Sequence, residues 1–290
     1  MELQFDDAKL FSYTDSEIRI HRLSPLYLAK AYASWDEVED AVSAMKFASQ
    51  LGIHVPHVHR IVVHDRDFYC IMDRISGRTL DAAWHELGWL SSLRLAFQLR
   101  RVVHRLRSAV STSSGSLPTG RSVSYYLDDW FRLPDRATIH HVYGFLNFWA
   151  SFPGLIHEMK KTPAEHAICA RPMFSHNGPF VFTHHDLAPR NMILDTEGQL
   201  RIIDWDLAGF YPESFEYGGM HNFIDSGWTR CARWRWNLFA WIAGGLHDKE
   251  FRWLEIIRSR FRHFGAGRRC NMRAGGYASA TRWPDNLISD

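Results

Sequence analysis

Within the eight-residue stretch His184–Asn191, H-H-D-L-A-P-R-N, the carboxylate of Asp186 and the carboxamide of Asn191 lie five positions apart. A second carboxylate, Asp204, follows thirteen residues after Asn191, in I-I-D-W-D. Hard oxygen donors of this kind suit a magnesium ion, and a carboxylate beside an acceptor hydroxyl can orient it and take its proton. A lysine must neutralise phosphate charge from the opposite side; Lys30, in the strand-like run L-Y-L-A-K-A-Y, is a candidate for that. These are the groups that phosphoryl transfer from ATP requires, provided the fold brings them together.

The surrounding sequence supplies elements to do so. Glu17–Leu23 and Leu26–Tyr32 alternate as strands, with Pro25 between them. Trp35–Leu51 repeats apolar residues at helical spacing and stops at Gly52. Ile61–Val63 and Phe68–Met72 read as a strand pair, and I-S-G-R-T-L (75–80) as a linker-like break. Leu90–Val110 is patterned as one packed helix, and S-T-S-S-G-S-L-P-T-G-R-S (111–122) as a polar, flexible loop. Tyr125–Ile168 is aromatic and helix-prone. Then P-F-V-F-T-H-H-D, M-I-L-D and L-R-I-I-D-W-D are short strand-like runs, with D-T-E-G (195–198) as a hairpin turn. Helical patterning resumes near Ser226 and fades after Phe264 into an irregular basic tail.

The spacing His184, Asp186, Asn191, Asp204 closely resembles the catalytic and metal loops of the protein-kinase-like superfamily. I-I-D-W-D in place of D-F-G, and the short Pro189–Asn191 segment, resemble its aminoglycoside phosphotransferase branch. A-G-F-Y-P-E-S-F-E-Y (208–217) is similar to the fungal members of that branch, and the likeness runs over roughly residues 20–225. The resemblance implies an α+β, bilobal fold: a small β-rich lobe with one helix (1–75), a larger, mostly helical lobe (76–264) and the tail (265–290). It implies Asp186 as catalytic base, with Asn191 and Asp204 holding Mg2+ and Asp206 a weaker candidate for the metal shell. Lys30 matches the phosphate-pairing lysine, with Glu37, Glu39 or Asp40 as its helical partner. Backbone groups around Met72, Asp73, Arg74 and Ile75 would hold adenine. His184 would brace the loop. His185 replaces a glycine typical of the branch, which either narrows the acceptor side or is simply tolerated. Arg190 fits a phosphate contact and a structural salt bridge equally well. No glycine-rich loop precedes Lys30, so the turn Tyr13–Glu17 would cover the phosphates. That gap, with the displaced helix acid, motivates an alternative reading as a catalytically weak or inactive binding module. Protein-kinase activity fits less well, because no long activation loop follows Asp204.

Composition restricts the partners. With 46% hydrophobic and 23% charged residues and a net charge of +2, the 290-residue chain has ample core material and no overall pull towards nucleic acid. The charge is uneven, +7 over residues 228–290 and −5 over the rest. Cys70, Cys169, Cys231 and Cys270 form no C-x-x-C pair, and the chain opens without a leader-like run, so a reduced, cytoplasmic protein is expected. No apolar run reaches the ~18 residues of a membrane span. His54, His57, His59 and His64 lack the companions of a metal motif. Between Ser111 and Phe180, five acidic residues face six basic ones among many aromatics, Tyr125, Tyr126, Trp130, Phe131, Tyr143, Phe148 and Trp149. A polycation calls for more carboxylates than that. The expected acceptor is therefore a small, hydroxylated and less cationic metabolite.

Overall fold

The computed structural model describes residues 19–64, 67–128, 133–158, 178–222, 224 and 227–263, without the side chains of 153–158. The turn Tyr13–Glu17, the tail from Gly265, Trp130, Phe131, Cys169 and Cys270 lie outside the described residues.

Four antiparallel strands come first, in the order β1-β2-β4-β3: β1 (Ile20–Arg22), β2 (Tyr27–Tyr32), β3 (Val58–His64) and β4 (Asp67–Asp73). The two-residue period of β2 puts Leu28, Lys30 and Tyr32 on one face, which is why a lysine and a tyrosine enter the site together. Helix α1 (Trp35–Gln50) crosses between β2 and β3. Its N-cap Ser34 accepts from Glu37 N–H at 3.3 Å, and the Glu37 carboxylate reaches back to Ala33 N–H at 3.2 Å. Val38, Ala41, Ala44, Met45 and Ala48 form its buried stripe, and it ends at Gly52 with φ +73°.

The segment read as a linker is structured. Gly77–Thr79 forms β5, pairing antiparallel with β8 (Met192–Asp195), and Thr79 caps the short helix α2 (Leu80–Ala83). β9 (Leu200–Ile202) completes that sheet through the D-T-E-G hairpin, where Asp195 Oδ1 accepts from Glu197 and Gln199 N–H. A third sheet joins β6 (Val110–Ser111), β7 (Phe180–Thr183) and β10 (Gly209–Tyr211) in the order β10-β7-β6. Around these pack α3 (Trp89–Arg107), α4 (Ile139–Glu158), α5 (Glu213–Met220), α6 (Arg230–Gly244) and α7 (Asp248–His263). Neither β10 nor α5 is visible in the periodicity, being three and eight residues long.

The stretch 111–122, read as flexible, is instead a closely bonded strap. Ser114 N–H donates to Ala137 O, Gly115 pairs with Phe210 of β10, and Ser116 N–H donates to Arg121 O. A Cβ on Gly115 would lie 2.1 Å from Gly120 O, so its glycine is a packing requirement. The strap grips α1: Asp40 Oδ1 accepts from Thr119 N–H at 3.2 Å and Oδ2 from the Thr119 hydroxyl at 2.8 Å. At the far end of α1, Arg105 of α3 donates to Gly52 O at 2.6 Å.

Two apolar cores result. One runs from Tyr32, Val38 and Met45 through Trp84 and Leu99 to Trp205 and Trp236. The other gathers Tyr126, Phe145, Trp149, Phe215 and Phe261 between α4 and α7. Tyr126, Phe148 and Trp149 are thus core residues: Tyr126 meets Phe215 of α5, and Trp149, beside Phe148, meets Phe261 of α7. Tyr125 and Tyr143 keep partial exposure.

Candidate active site

β7 delivers the chain into the loop 184–188, and a single 3-10 turn, Pro189–Asn191, returns it to β8. His184 is fully buried. Its Nδ1 accepts from Asp186 N–H (3.3 Å), so its proton sits on Nε2 and is donated to Ile203 O (3.0 Å). Burial pushes its pKa down to about 4, despite Asp204 nearby. It is therefore a neutral brace tying this loop to the one carrying Asp204.

Asp186 is buried. Its Oδ2 accepts from Arg190 Nη2 at 2.6 Å and from Asn191 Nδ2 at 2.8 Å, while Oδ1 is buried with no hydrogen-bond partner. Burial raises the pKa to about 6, against the opposing pull of Arg190. Of the two readings of Arg190, the geometry gives the salt bridge. Asn191 spends its amide hydrogens on Asp186 Oδ2 and on Asp186 O (3.0 Å), so its amide oxygen is the atom left to accept or to ligate.

Asp204 stands just beyond β9 with φ +66°, a left-handed conformation costly for a non-glycine residue. Lys30 Nζ lies 2.5 Å from Asp204 Oδ1 and 2.7 Å from Asp206 Oδ2, and the Tyr32 hydroxyl donates to Asp206 Oδ1 at 3.0 Å. Asp206 is thus turned onto Lys30 and Tyr32. Burial alone would lower the Lys30 pKa, but the two carboxylates outweigh it and hold the ammonium charged. Asp204 is held below its usual range by Lys30, whereas Asp206 is raised by burial and by Asp204. None of Glu37, Glu39 and Asp40 meets Lys30. Glu37 caps its own helix and Asp40 grips Thr119, so both carboxylate partners of the lysine come from the Asp204 loop.

Met72 and Asp73 close β4. Asp73 N–H is taken by His57 O (2.9 Å) and Arg74 N–H by Leu26 O (2.7 Å), and Ile75 lies just past the sheet. A groove of about 270 Å³ between Pro56, Asp73, Ile75, Ser76, Asp195 and Arg201 flanks this connector, away from Lys30, Asp186 and Asp204.

The loop is held from behind by a residue the sequence reading passed over. Glu216 of α5 is fully buried, with its two oxygens accepting from His184 N–H (2.7 Å) and His185 N–H (3.1 Å). Burial lifts its pKa to about 7. A carboxylate on the buried face of a short helix is rare enough to have been the clue. His185 has φ +69° where the resemblance has glycine. Its ring is buried away from the cleft, stacked on Tyr211 (4.6 Å) and Phe215 (5.5 Å), with Nε2 bonded to Ser124 Oγ at 2.7 Å. It does not narrow the acceptor side, because packing on two rings offsets the backbone cost and turns it inward. Gly219 of α5 abuts the same loop, and a Cβ there would lie 2.4 Å from His185 O. Gly219→Ala is expected to cost roughly 1–3 kcal/mol, as forced overpacking does. A lowered midpoint in thermal denaturation, with weakened activity, would show it.

A model of the phosphotransferase enzyme family matches residues 26–249. No curated protein sequence matches the chain. Among solved structures, the chain is similar to a thermostable mutant of the aminoglycoside phosphotransferase APH(4)-Ia in its apo form. The TM-score is 0.52 at 14% identity, covering 90% of this chain and 87% of that one. It is similar, too, to a further substituted form of that mutant in a ternary complex with AMP-PNP and hygromycin B (TM-score 0.50, 16% identity, 88% and 84% covered). The Streptomyces rimosus phosphotransferase APH(3'')-Id, in complex with ADP and streptomycin, aligns at TM-score 0.47 and 17% identity over 80% and 85% of the chains. Identities this low speak for the fold, which is kinase-like. With more than half of its length matched by the family model, the chain belongs to the phosphotransferase enzyme family.

Proposed function

We propose that the chain transfers the γ-phosphate of ATP to a hydroxyl of a small molecule, with Asp186 as base. The observation that carries this reading is the unsatisfied Asp186 Oδ1: a buried acceptor without a donor is costly, and an incoming hydroxyl supplies the donor. Arg190 and Asn191 fix the other oxygen, so the carboxylate presents Oδ1 in one orientation. In this reading the acceptor's proton passes to Oδ1 as its oxygen attacks.

The donor set fits magnesium, since the Asn191 amide oxygen and the Asp204 carboxylate are hard oxygen ligands beside one another's loops. Bound there, Mg2+ would neutralise charge on the phosphates. Lys30 would add its ammonium, with Asp206 and Tyr32 keeping it in place when Asp204 turns to the metal. The backbone of Met72, Asp73 and Ile75 is the proposed adenine contact. The binding-module alternative drew on the missing helix acid, and Asp206 supplies Lys30 with a counter-ion in its stead.

On the acceptor side, Arg190 sits on the base, and Arg258 lies over the Tyr125 ring at 5.5 Å. Arg190 is paired with Asp186 and Arg258 with Glu255, so these carboxylates are already matched by cations, which supports a hydroxylated, less cationic metabolite as acceptor over a polycation. The test is ATP consumption with Mg2+ across a panel of hydroxylated acceptors, beside thermal-shift titration with Mg-ATP. Binding to the native state must raise the melting temperature, by an amount that follows nucleotide concentration. A flat titration together with no turnover would refute the proposal. A rise without turnover on any acceptor would favour the binding module.

A further inference from the structure

We infer that the outer face of α3 and α6 is a docking surface for an anionic lipid membrane. This inference does not depend on the proposed reaction. The two helices pack side by side and carry five and three arginines respectively, with no Asp or Glu in either. Arg107 aside, four of these eight arginines are bonded to carbonyls. Arg94, Arg100 and Arg105 donate to the backbone carbonyls of Gly198, Ile242 and Gly52, and Arg235 to those of Leu87 and Trp84. A carbonyl satisfies the N–H groups and leaves the cation's charge standing. Arg107, at the end of α3, does pair with a carboxylate, that of Glu213.

The same face is unusually apolar for a charged surface. Helical spacing sets Leu90, Arg94, Phe97 and Arg101 on one outward stripe of α3, with Leu90 85% and Phe97 52% exposed. Beside them Trp234 of α6, 56% exposed, meets Trp89, 40% exposed, with ring centroids 5.2 Å apart. Exposed tryptophan, leucine and phenylalanine interleaved with arginine is what an interfacial helix presents. The apolar tips enter the headgroup–acyl boundary, and the guanidinium groups stay with lipid phosphates. Charge argues against a second copy of the chain, because a two-fold contact would set this arginine surface against itself. A nucleic acid would meet the arginines but would leave Leu90 and Phe97 against phosphate and water. No described helix is long and apolar enough to cross a membrane, so attachment would be peripheral.

The full chain, co-sedimented with phosphatidylcholine vesicles and with phosphatidylcholine–phosphatidylserine vesicles, is expected to bind the second kind only. Added salt should release it. The double variants Leu90→Ser/Trp234→Ser and Arg101→Glu/Arg230→Glu should each weaken binding by more than about ten-fold, since each surface arginine contributes several-fold. The arginine variant should keep the wild-type melting temperature, because both side chains are exposed, and the apolar variant should lose little, since it gives up only the Trp89–Trp234 ring contact. Residues 264–290 are unchanged in both variants, so binding through that basic segment would leave the variants equal to wild type. That equality would overturn the inference. So would a chain left in the supernatant with anionic vesicles, or a face that captures RNA or forms dimers in place of binding vesicles.

Discussion

Replacing Asp186 by Asn is expected to lower kcat by about 10²–10⁴-fold, the range a positioned general base contributes, while leaving Mg-ADP binding near wild type. The substitution keeps the size of the side chain and an acceptor oxygen for Asn191, and removes the ability to take a proton. A stopped assay with single-turnover kinetics, beside a thermal-shift titration with nucleotide, separates the two effects. If kcat survives, Asp186 is not the base. The pH profile gives an independent check. Burial lifts the Asp186 pKa to about 6, and the carboxylate is the working form. Wild-type kcat/KM should therefore fall about tenfold per pH unit once the pH drops below about 6. Arg190 pulls this pKa down, so Arg190→Gln should move the acid limb towards neutrality.

Replacing Lys30 by Met should damage both stability and nucleotide binding. The ammonium holds the Asp204 and Asp206 carboxylates together at 2.5 and 2.7 Å, and without it two anions share one end of the cleft. Removing one partner of a buried ion pair costs about 3–5 kcal/mol. Asp204 and Asp206 retain 40% and 27% side-chain exposure, so the low end, about 3 kcal/mol, is expected. Chemical denaturation should show the loss, and added Mg2+ should recover part of it by screening the two carboxylates. A Lys30→Met protein as stable as wild type would mean that the pair contributes nothing net. Undiminished nucleotide affinity would remove Lys30 from the phosphate site.

What could be read in the sequence was what lies close along the chain. Strands β2, β4, β7, β8 and β9, helices α1 and α3, and the loop groups Asp186, Asn191 and Asp204 announce themselves through two-residue or helical periods and short fixed spacings. Contacts between distant segments could not be read in that way. The partner of Lys30 was sought in the next helix, where local spacing pointed, and it comes from Asp204 and Asp206 far along the chain. Glu216 escaped notice because an eight-residue helix containing two glycines has too little periodicity to be seen. The strap 111–122 looked flexible from its Ser and Gly content. Its Gly115 in fact lets backbone lie on backbone, against Gly120 within the strap and against Gly209 of β10. Composition cannot tell which way a ring points, so it did not separate the core rings Tyr126, Phe148 and Trp149 from the partly exposed Tyr125 and Tyr143.

The double attachment of α1 has a mechanical consequence. One end is fastened through Asp40 to Thr119, and the other through Gly52 to Arg105, so both fastenings lead to the helical part of the molecule. A helix anchored at two points cannot pivot about either without breaking the other. The sheet shares its buried core with α1, through Tyr32, Cys70 and Met72 against Val38, Ala41 and Met45, so these fastenings tie the sheet as well as the helix to the rest of the molecule. Lys30, carried by that sheet, is thereby moored beside Asp204 and Asp206 from two sides at once.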